Sequence, residues 1–269
     1  MVDQAPERTG ITAIVFDLDG TLYRQAPLRW SVLVRLLRAY ATRPLSGVQT
    51  LRVLGAYRQA QEQLRRSPVG SVARADLAEE QLRITCDRTR AKPAFVAARV
   101  ARWMEQEPLA LLGRHIQPGL LAFLHAAKAR GLLLGVLSDY PAQAKLEALG
   151  LHTLFDVILA AQSPEVGVFK PHPRGLLRTA ERLGVNPRQC VYIGDRAEVD
   201  APAALAAGMA CCIVTADSPA GPRTWTQVAG FPELRELLFR TSAGQVPLIA
   251  LNQVSTLPER SVACATDNI

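Results

Sequence analysis

The chain has 269 residues, 49% of them hydrophobic and 20% charged, with a net charge of +7. It is too apolar for a disordered chain and long enough for one large domain or two modest ones. No uncharged apolar run approaches the roughly 20 residues of a membrane span. The opening MVDQAPERTG lacks the apolar stretch of a secretory signal, and the five cysteines (Cys86, Cys190, Cys211, Cys212, Cys264) are odd in number and form no C-x-x-C pair, so reduced thiols in a cytoplasmic protein are expected.

Charge is unevenly spread. Between Arg24 and Gly113 stand 16 basic and 7 acidic residues, while the remainder is net negative. Such a segment is either a solvated, arginine-rich helical surface or a positive field that draws an anion toward a nearby site. In chain order, the apolar run 11–16 predicts a buried strand that turns abruptly into Asp17-Leu18-Asp19-Gly20-Thr21. From Arg24 to Gly113, apolar spacings of three and four in an Ala-, Leu- and Arg-rich segment predict several helices, with breaks near Pro44, Pro68-Val69-Gly70, Pro93 and Pro108. On the stretch 28–40, Ser31, Arg35 and Arg38 share one helical face against a wide apolar face with Trp30. That helix either packs on its neighbours or lies on an anionic membrane surface and admits a lipid phosphate.

After Pro118-Gly119 the pattern changes. A helix over 120–130 ends at Gly131, and a fully apolar strand follows over 132–137. A helix over 142–149 closes at Gly150, before a strand at 157–161. A helix over 174–183 closes at Gly184. Then come a strand at 190–193, a helix at 201–207, a strand at 210–214 and a last helix at 232–239. This alternation predicts an α/β fold with a Rossmann-like parallel sheet and a helical segment inserted after the first strand. The expected division is a core of 10–23 and 115–240, a helical insertion of 24–114, and a polar tail of 241–269 with one apolar patch at 246–251.

Polar residues gather where the strands are expected to end, which is where parallel sheets place their sites. The first strand ends in Asp17 and Asp19, the second in Ser138-Asp139, and the fourth in Gly194-Asp195, with Asp200 five residues on. Lys170 stands in a segment with almost no other charge, so its amine is expected to have an assigned partner. Carboxylates that converge repel one another unless a cation binds them. Oxygen-only ligands favour a hard ion, and Mg²⁺ is the natural choice. Beside such an ion and a lysine, Asp17 can attack a phosphorus centre while Asp19 serves the leaving oxygen as general acid. Ser138 and backbone N–H groups can hold the phosphoryl group. Asp139 is either part of that phosphate site or an N-cap for the next helix. Arg196 is expected to pair with a nearby acid. The four histidines show no metal spacing, and His172 is expected at the surface.

The ordered set Asp17-Leu18-Asp19-Gly20-Thr21, Ser138, Lys170-Pro171 and Gly194-Asp195-Arg196 with Asp200 resembles the four motifs of the haloacid dehalogenase superfamily of phosphohydrolases. The resemblance covers roughly 10–23 and 115–215. It implies a core of that type with a C1-type helical cap over 24–114. It implies Asp17 as the nucleophile that becomes an aspartyl-phosphate and as a metal ligand, and Asp19 as the acid and then the base, with its backbone carbonyl on the metal. Ser138 and Thr21 would bind the phosphate, Lys170 would bridge nucleophile and phosphate, and Asp195 and Asp200 would hold Mg²⁺. An acid at Asp19 favours phosphate esters over halides. The expected function is Mg²⁺-dependent hydrolysis of a small phosphate monoester. A phosphosugar mutase and a silent anion- or lipid-binding protein on the same scaffold are the alternatives. A small anionic substrate is the expected partner, nucleic acid is not, and the first cap helix offers a peripheral membrane contact.

Overall fold

The structure, a computed structural model, describes residues 10–67, 76–215 and 223–239. Six strands form one parallel sheet in the order β3-β2-β1-β4-β5-β6: β1 (Ala13–Phe16), β2 (Leu133–Ser138), β3 (Val157–Ala160), β4 (Cys190–Gly194), β5 (Ala210–Val214) and β6 (Thr226–Val228). β1 lies at the centre, with Ala13 paired to Leu133 on one side and to Cys190 on the other. Its continuous apolar run is explained by burial on both faces. Ile14 and Phe16 enter a core with Phe123, Leu146 and Leu234, from helices α6 (Leu120–Ala129), α7 (Gln143–Ala148) and α10 (Phe231–Phe239). Ala13 and Val15 enter a second core with Leu176, Ala180 and Ala204, from α8 (Arg174–Leu183) and α9 (Ala197–Ala206). Phe16 anchors the first layer, its ring 5.8 Å from Phe155 and 6.1 Å from Phe123, both edge-on.

The α/β class and the parallel sheet agree with the sequence reading. Three differences have physical reasons. α9 starts at Ala197, four residues before the expected start, because its first turn carries Glu198 and Asp200 and reads as part of the polar loop after β4. β6 was not anticipated; it is only three residues long and mixes Thr, Gln and Val. At Pro108 the chain does not break. α4 (Pro93–Val100) runs through a π-helical turn at Ala101–Gln106 into α5 (Glu107–Leu112). A proline ring crowds the carbonyl of the preceding turn, and a widened turn relieves that clash. The expected break at 68–70 and the apolar patch at 246–251 lie outside the described residues.

Between β1 and β2 the chain forms an all-helical insertion that begins with α1 (Gln25–Ala39), α2 (Pro44–Arg66) and α3 (Leu77–Thr89) and continues through α4 and α5. Its two connections to the sheet run side by side, the Arg24 N–H donating to His115 and the Gln117 N–H to Leu22. The insertion therefore leaves and returns at one point, beyond the carboxyl end of β1. Truncating the anchor, Phe16→Ala, should cost about 3–5 kcal/mol of unfolding free energy, read from urea melts; a loss below 1 kcal/mol would contradict the packing described.

Candidate active site

Asp17 follows β1 directly, and its N–H continues the ladder to Ile193. The chain then turns at Gly20, where φ is +108°. A Cβ there would stand 2.0 Å from Asp195 Oδ2, and one at Gly194 would stand 2.4 Å from Asp200 Oδ2. The two glycines thus let the ends of β1 and β4 approach closely enough for their carboxylates to meet. Oxygens of Asp17, Asp195 and Asp200 all lie within 4.8 Å of one another.

Lys170 lies among them. Its Nζ donates to Asp17 Oδ1 (2.5 Å), Asp200 Oδ1 (2.7 Å) and the Tyr192 hydroxyl (2.8 Å). Asp200 also accepts from the Tyr192 hydroxyl and from the backbone N–H groups of Asp195 and Arg196. Both oxygens of Asp200 are therefore occupied. Thr21 is fully buried and donates to Asp17 Oδ2 at 3.2 Å, so its hydroxyl orients that carboxylate.

One amine cannot neutralise three converging carboxylates, two of them buried and Asp195 half-buried. Burial holds Asp17 well above the ordinary carboxylate range, reinforced by Asp200 and Asp195 and opposed by Lys170. Burial and then Asp200 push Asp195 up to about 7. Burial alone would raise Asp200, but Lys170 and the surrounding donors hold it low. Burial would likewise lower Lys170, yet Asp17 and Asp200 keep it firmly protonated. Asp195 Oδ1 is buried without a hydrogen-bond partner. A partnerless oxygen, an excess of negative charge and an all-oxygen donor set fit a hard divalent cation.

Asp19 stands apart. Its carboxylate accepts from Lys145 Nζ at 2.6 and 2.9 Å and from the Tyr23 hydroxyl. Burial favours its neutral form, but Lys145 outweighs that and lowers its pKa. Its side chain lies outside the three-carboxylate cluster, so any part it takes in holding a metal falls to its backbone carbonyl.

Ser138 is fully buried at the end of β2, and its hydroxyl accepts from the Tyr140 N–H at 3.3 Å. Asp139 does not cap α7, whose N-cap is Ala142. Its Oδ2 accepts instead from Arg65 (2.8 Å) and Gln61 (2.9 Å) of α2, which leaves its backbone N–H, rather than its carboxylate, for an anion. Arg65 also donates to the Lys170 carbonyl at 2.5 Å. Arg196 pairs with Glu198 and with Glu62 of α2.

Lys145, Tyr192 and Arg65 were missed from the sequence. Tyr192 sits inside an apolar strand and Arg65 among many arginines, so neither stands out. Lys145 had a signal: it is one of four lysines beside 27 arginines.

The chain matches the model of the haloacid dehalogenase-like hydrolases over residues 11–208. It is 32% identical to a glyceraldehyde 3-phosphate phosphatase of Methanopyrus kandleri, over 74% of this chain and 82% of that protein. It is 31% identical to a phosphoglycolate phosphatase of Rhodospirillum rubrum, over 76% and 79%. In fold it is similar to a 2-haloacid dehalogenase of Pseudomonas syringae pv. Tomato (TM-score 0.60, 21% identity, 86% of this chain and 99% of that one). It is also similar to a HAD phosphatase of Thermococcus onnurineus (TM-score 0.55, 22% identity, 88% and 100%). The protein belongs to the haloacid dehalogenase-like hydrolase family, and its curated relatives named here are phosphatases.

Two outcomes follow from the geometry. With a folded pKa near 7 against roughly 3.9 unfolded, Asp195 binds more protons in the folded state between those values. The metal-free protein should therefore lose stability as pH rises from about 4 to 7. Mg²⁺ should then raise the melting temperature more at pH 8 than at pH 5; an equal rise at both would contradict this. Arg65→Met would strip both donors from a buried contact and should cost about 3–5 kcal/mol, read from urea melts; a cost below 1 kcal/mol would show the contact to be dispensable.

Proposed function

We propose that this protein hydrolyses a small-molecule phosphate monoester, with Asp17 as nucleophile and Mg²⁺ as cofactor. The observation that carries this reading is the buried Lys170 among Asp17, Asp195 and Asp200, with a partnerless oxygen on Asp195. Asp17, Asp195 and Asp200 would hold the ion together with the Asp19 carbonyl, Asp200 through water because its own oxygens are occupied. The bound ion would offset negative charge on the phosphoryl oxygens.

In the first step an Asp17 oxygen forms a bond to phosphorus and the ester P–O bond breaks. An anionic phosphoryl group arriving beside Asp19 favours its protonated form, and Asp19 then gives that proton to the departing alcohol oxygen. In the second step a water attacks the phosphorus of the aspartyl-phosphate, and Asp19 takes its proton. The bond to Asp17 breaks and phosphate leaves. Lys145 lowers the pKa of Asp19, which favours its action on water. Thr21 and Lys170 fix the two oxygens of Asp17, so the nucleophile is oriented before substrate arrives. Lys170 also offers positive charge to the transferring group, and Ser138 with the backbone N–H groups around Asp139 would hold the phosphoryl oxygens.

The helical insertion, 24–114, acts here as a C1-type cap over the core of 10–23 and 115–240. It faces Asp17 across the cleft, and Arg65 and Gln61 secure it to the loop after β2. A covered site of this kind favours single small molecules over folded protein substrates.

Asp17→Asn should lower phosphate release from a generic aryl phosphate by at least about 10⁴-fold while leaving the circular dichroism spectrum intact. Asp19→Asn should cost about 10²–10⁴-fold. Retention of wild-type activity by Asp17→Asn would overturn the proposal. Product analysis with a sugar phosphate should show free phosphate; migration of phosphate between hydroxyls would instead identify a mutase.

A further inference from the structure

Between Asp19 and Glu62 the chain carries seven arginines and no lysine or acidic residue. This stretch builds α1 and most of α2. Among the described residues, only Arg35 of the seven has an acidic partner, Glu107. The same two helices expose large apolar side chains: Trp30 (67% exposed) and Leu37 on α1, Leu45 (80%) and Val48 (64%) on α2. Trp30 and Leu37, seven apart, share one face of α1, and Leu45 and Val48, three apart, share one face of α2. Arg24, Arg29 and Arg58 line the catalytic cleft, which leaves Arg38, Arg43 and Arg52 beside the exposed apolar side chains, and positive charge interleaved with such side chains is complementary to an anionic lipid surface.

A chamber opens beneath this surface. The cleft above Asp17, Lys170 and Asp195 widens into a cavity of about 1460 Å³. Its walls away from the carboxylates include Leu33 and Leu36 of α1, Leu51 and Leu54 of α2, and Trp103 and Met104 of the π-helical turn, while Arg24, Arg29 and Arg58 stand at its polar side. Trp30 and Leu51 belong both to the exposed surface and to the chamber. Ordinary small-molecule pockets span roughly 300–1,000 Å³. A three-carbon phosphate would leave most of this space and its apolar wall unused.

We propose that this enzyme takes its substrate from an anionic lipid surface. α1 and α2 dock on the bilayer through their arginines and exposed apolar side chains, and the chamber between them receives the apolar chain of an amphiphilic phosphate monoester. The chemical step rests on the phosphatase reading of Asp17; the docking does not.

The full chain is sedimented with phosphatidylcholine vesicles, with and without phosphatidylglycerol. Binding is expected only to the anionic vesicles, weakening as salt rises. The double variant Arg38→Gln/Arg43→Gln should lower partition roughly tenfold or more, and Leu45→Ser/Val48→Ser should lower it as well. Both should leave hydrolysis of a soluble aryl phosphate unchanged. Across n-alkyl phosphates below their micellar concentrations, kcat/KM should rise by up to about fourfold per added methylene until the chamber is filled. Equal binding to neutral and anionic vesicles, no binding, or a flat chain-length series would each overturn the proposal. So would a fall from dimer to monomer mass in Leu45→Ser/Val48→Ser, which would assign the face to a second copy. Activity on the aryl phosphate separates the two readings. If it is absent, the phosphatase assignment fails and vesicle binding alone decides the docking.

Discussion

Three carboxylates share one buried space with a single amine, and the rest of the molecule answers to that constraint. Asp17 and Asp195 come from the ends of two adjacent central strands and Asp200 from the first turn of α9, and their side chains face a common point. Water would normally keep such groups apart in energy and in space. Here the sheet imposes the approach, and glycines at positions 20 and 194 remove the side chains that would prevent it. Lys170 compensates part of the repulsion, and what remains uncompensated is what the proposed divalent cation would offset. In the proposed reaction that leftover charge is also the source of reactivity. A carboxylate that is held, oriented and partly neutralised from the far side can approach an anionic phosphoryl group that a free carboxylate would repel.

The helical insertion is tied to this arrangement rather than merely placed above it. Arg65, nearly inaccessible to solvent, joins α2 to the Asp139 carboxylate and to the carbonyl of Lys170. One guanidinium therefore links the end of α2 to the loop after β2 and to the residue that carries the amine. Tyr140 and Gln81 extend the contact, the amide of Gln81 donating to the Tyr140 hydroxyl, which in turn donates to Gln61. Away from this joint, α1 and α2 hold the apolar chamber and the unpaired arginines. The same insertion thus has one end joined to the carboxylate site and another that, in the docking proposed, would select what enters.

The sheet was legible in the sequence because each central strand is apolar on both faces, a pattern that surface elements cannot show. The strand ends were legible because polar residues interrupt those runs abruptly, as at Asp17, Ser138 and Asp195. Less was readable where a residue's partner comes from a distant segment. Nothing near Asp139 announces Arg65, 74 residues earlier. Thr21 looked like a group open to phosphate and is instead enclosed, its hydroxyl turned onto Asp17. β6 is too short and too polar to carry a period of its own. The acidic first turn of α9 read as loop and hid four residues of helix, and Pro108 suggested a break where the chain answers with a wider turn.

The central claim, that the three carboxylates and Lys170 form an incomplete charge set closed by one divalent ion, is tested most directly by calorimetric titration of the metal-free protein with Mg²⁺ near pH 7 in two buffers of different ionisation enthalpy. One ion should bind per chain with net release of protons, because Asp195 must ionise to accept it, and Asp195→Asn should abolish the binding. Failure of the wild-type protein to bind, or undiminished binding by that variant, would contradict the account.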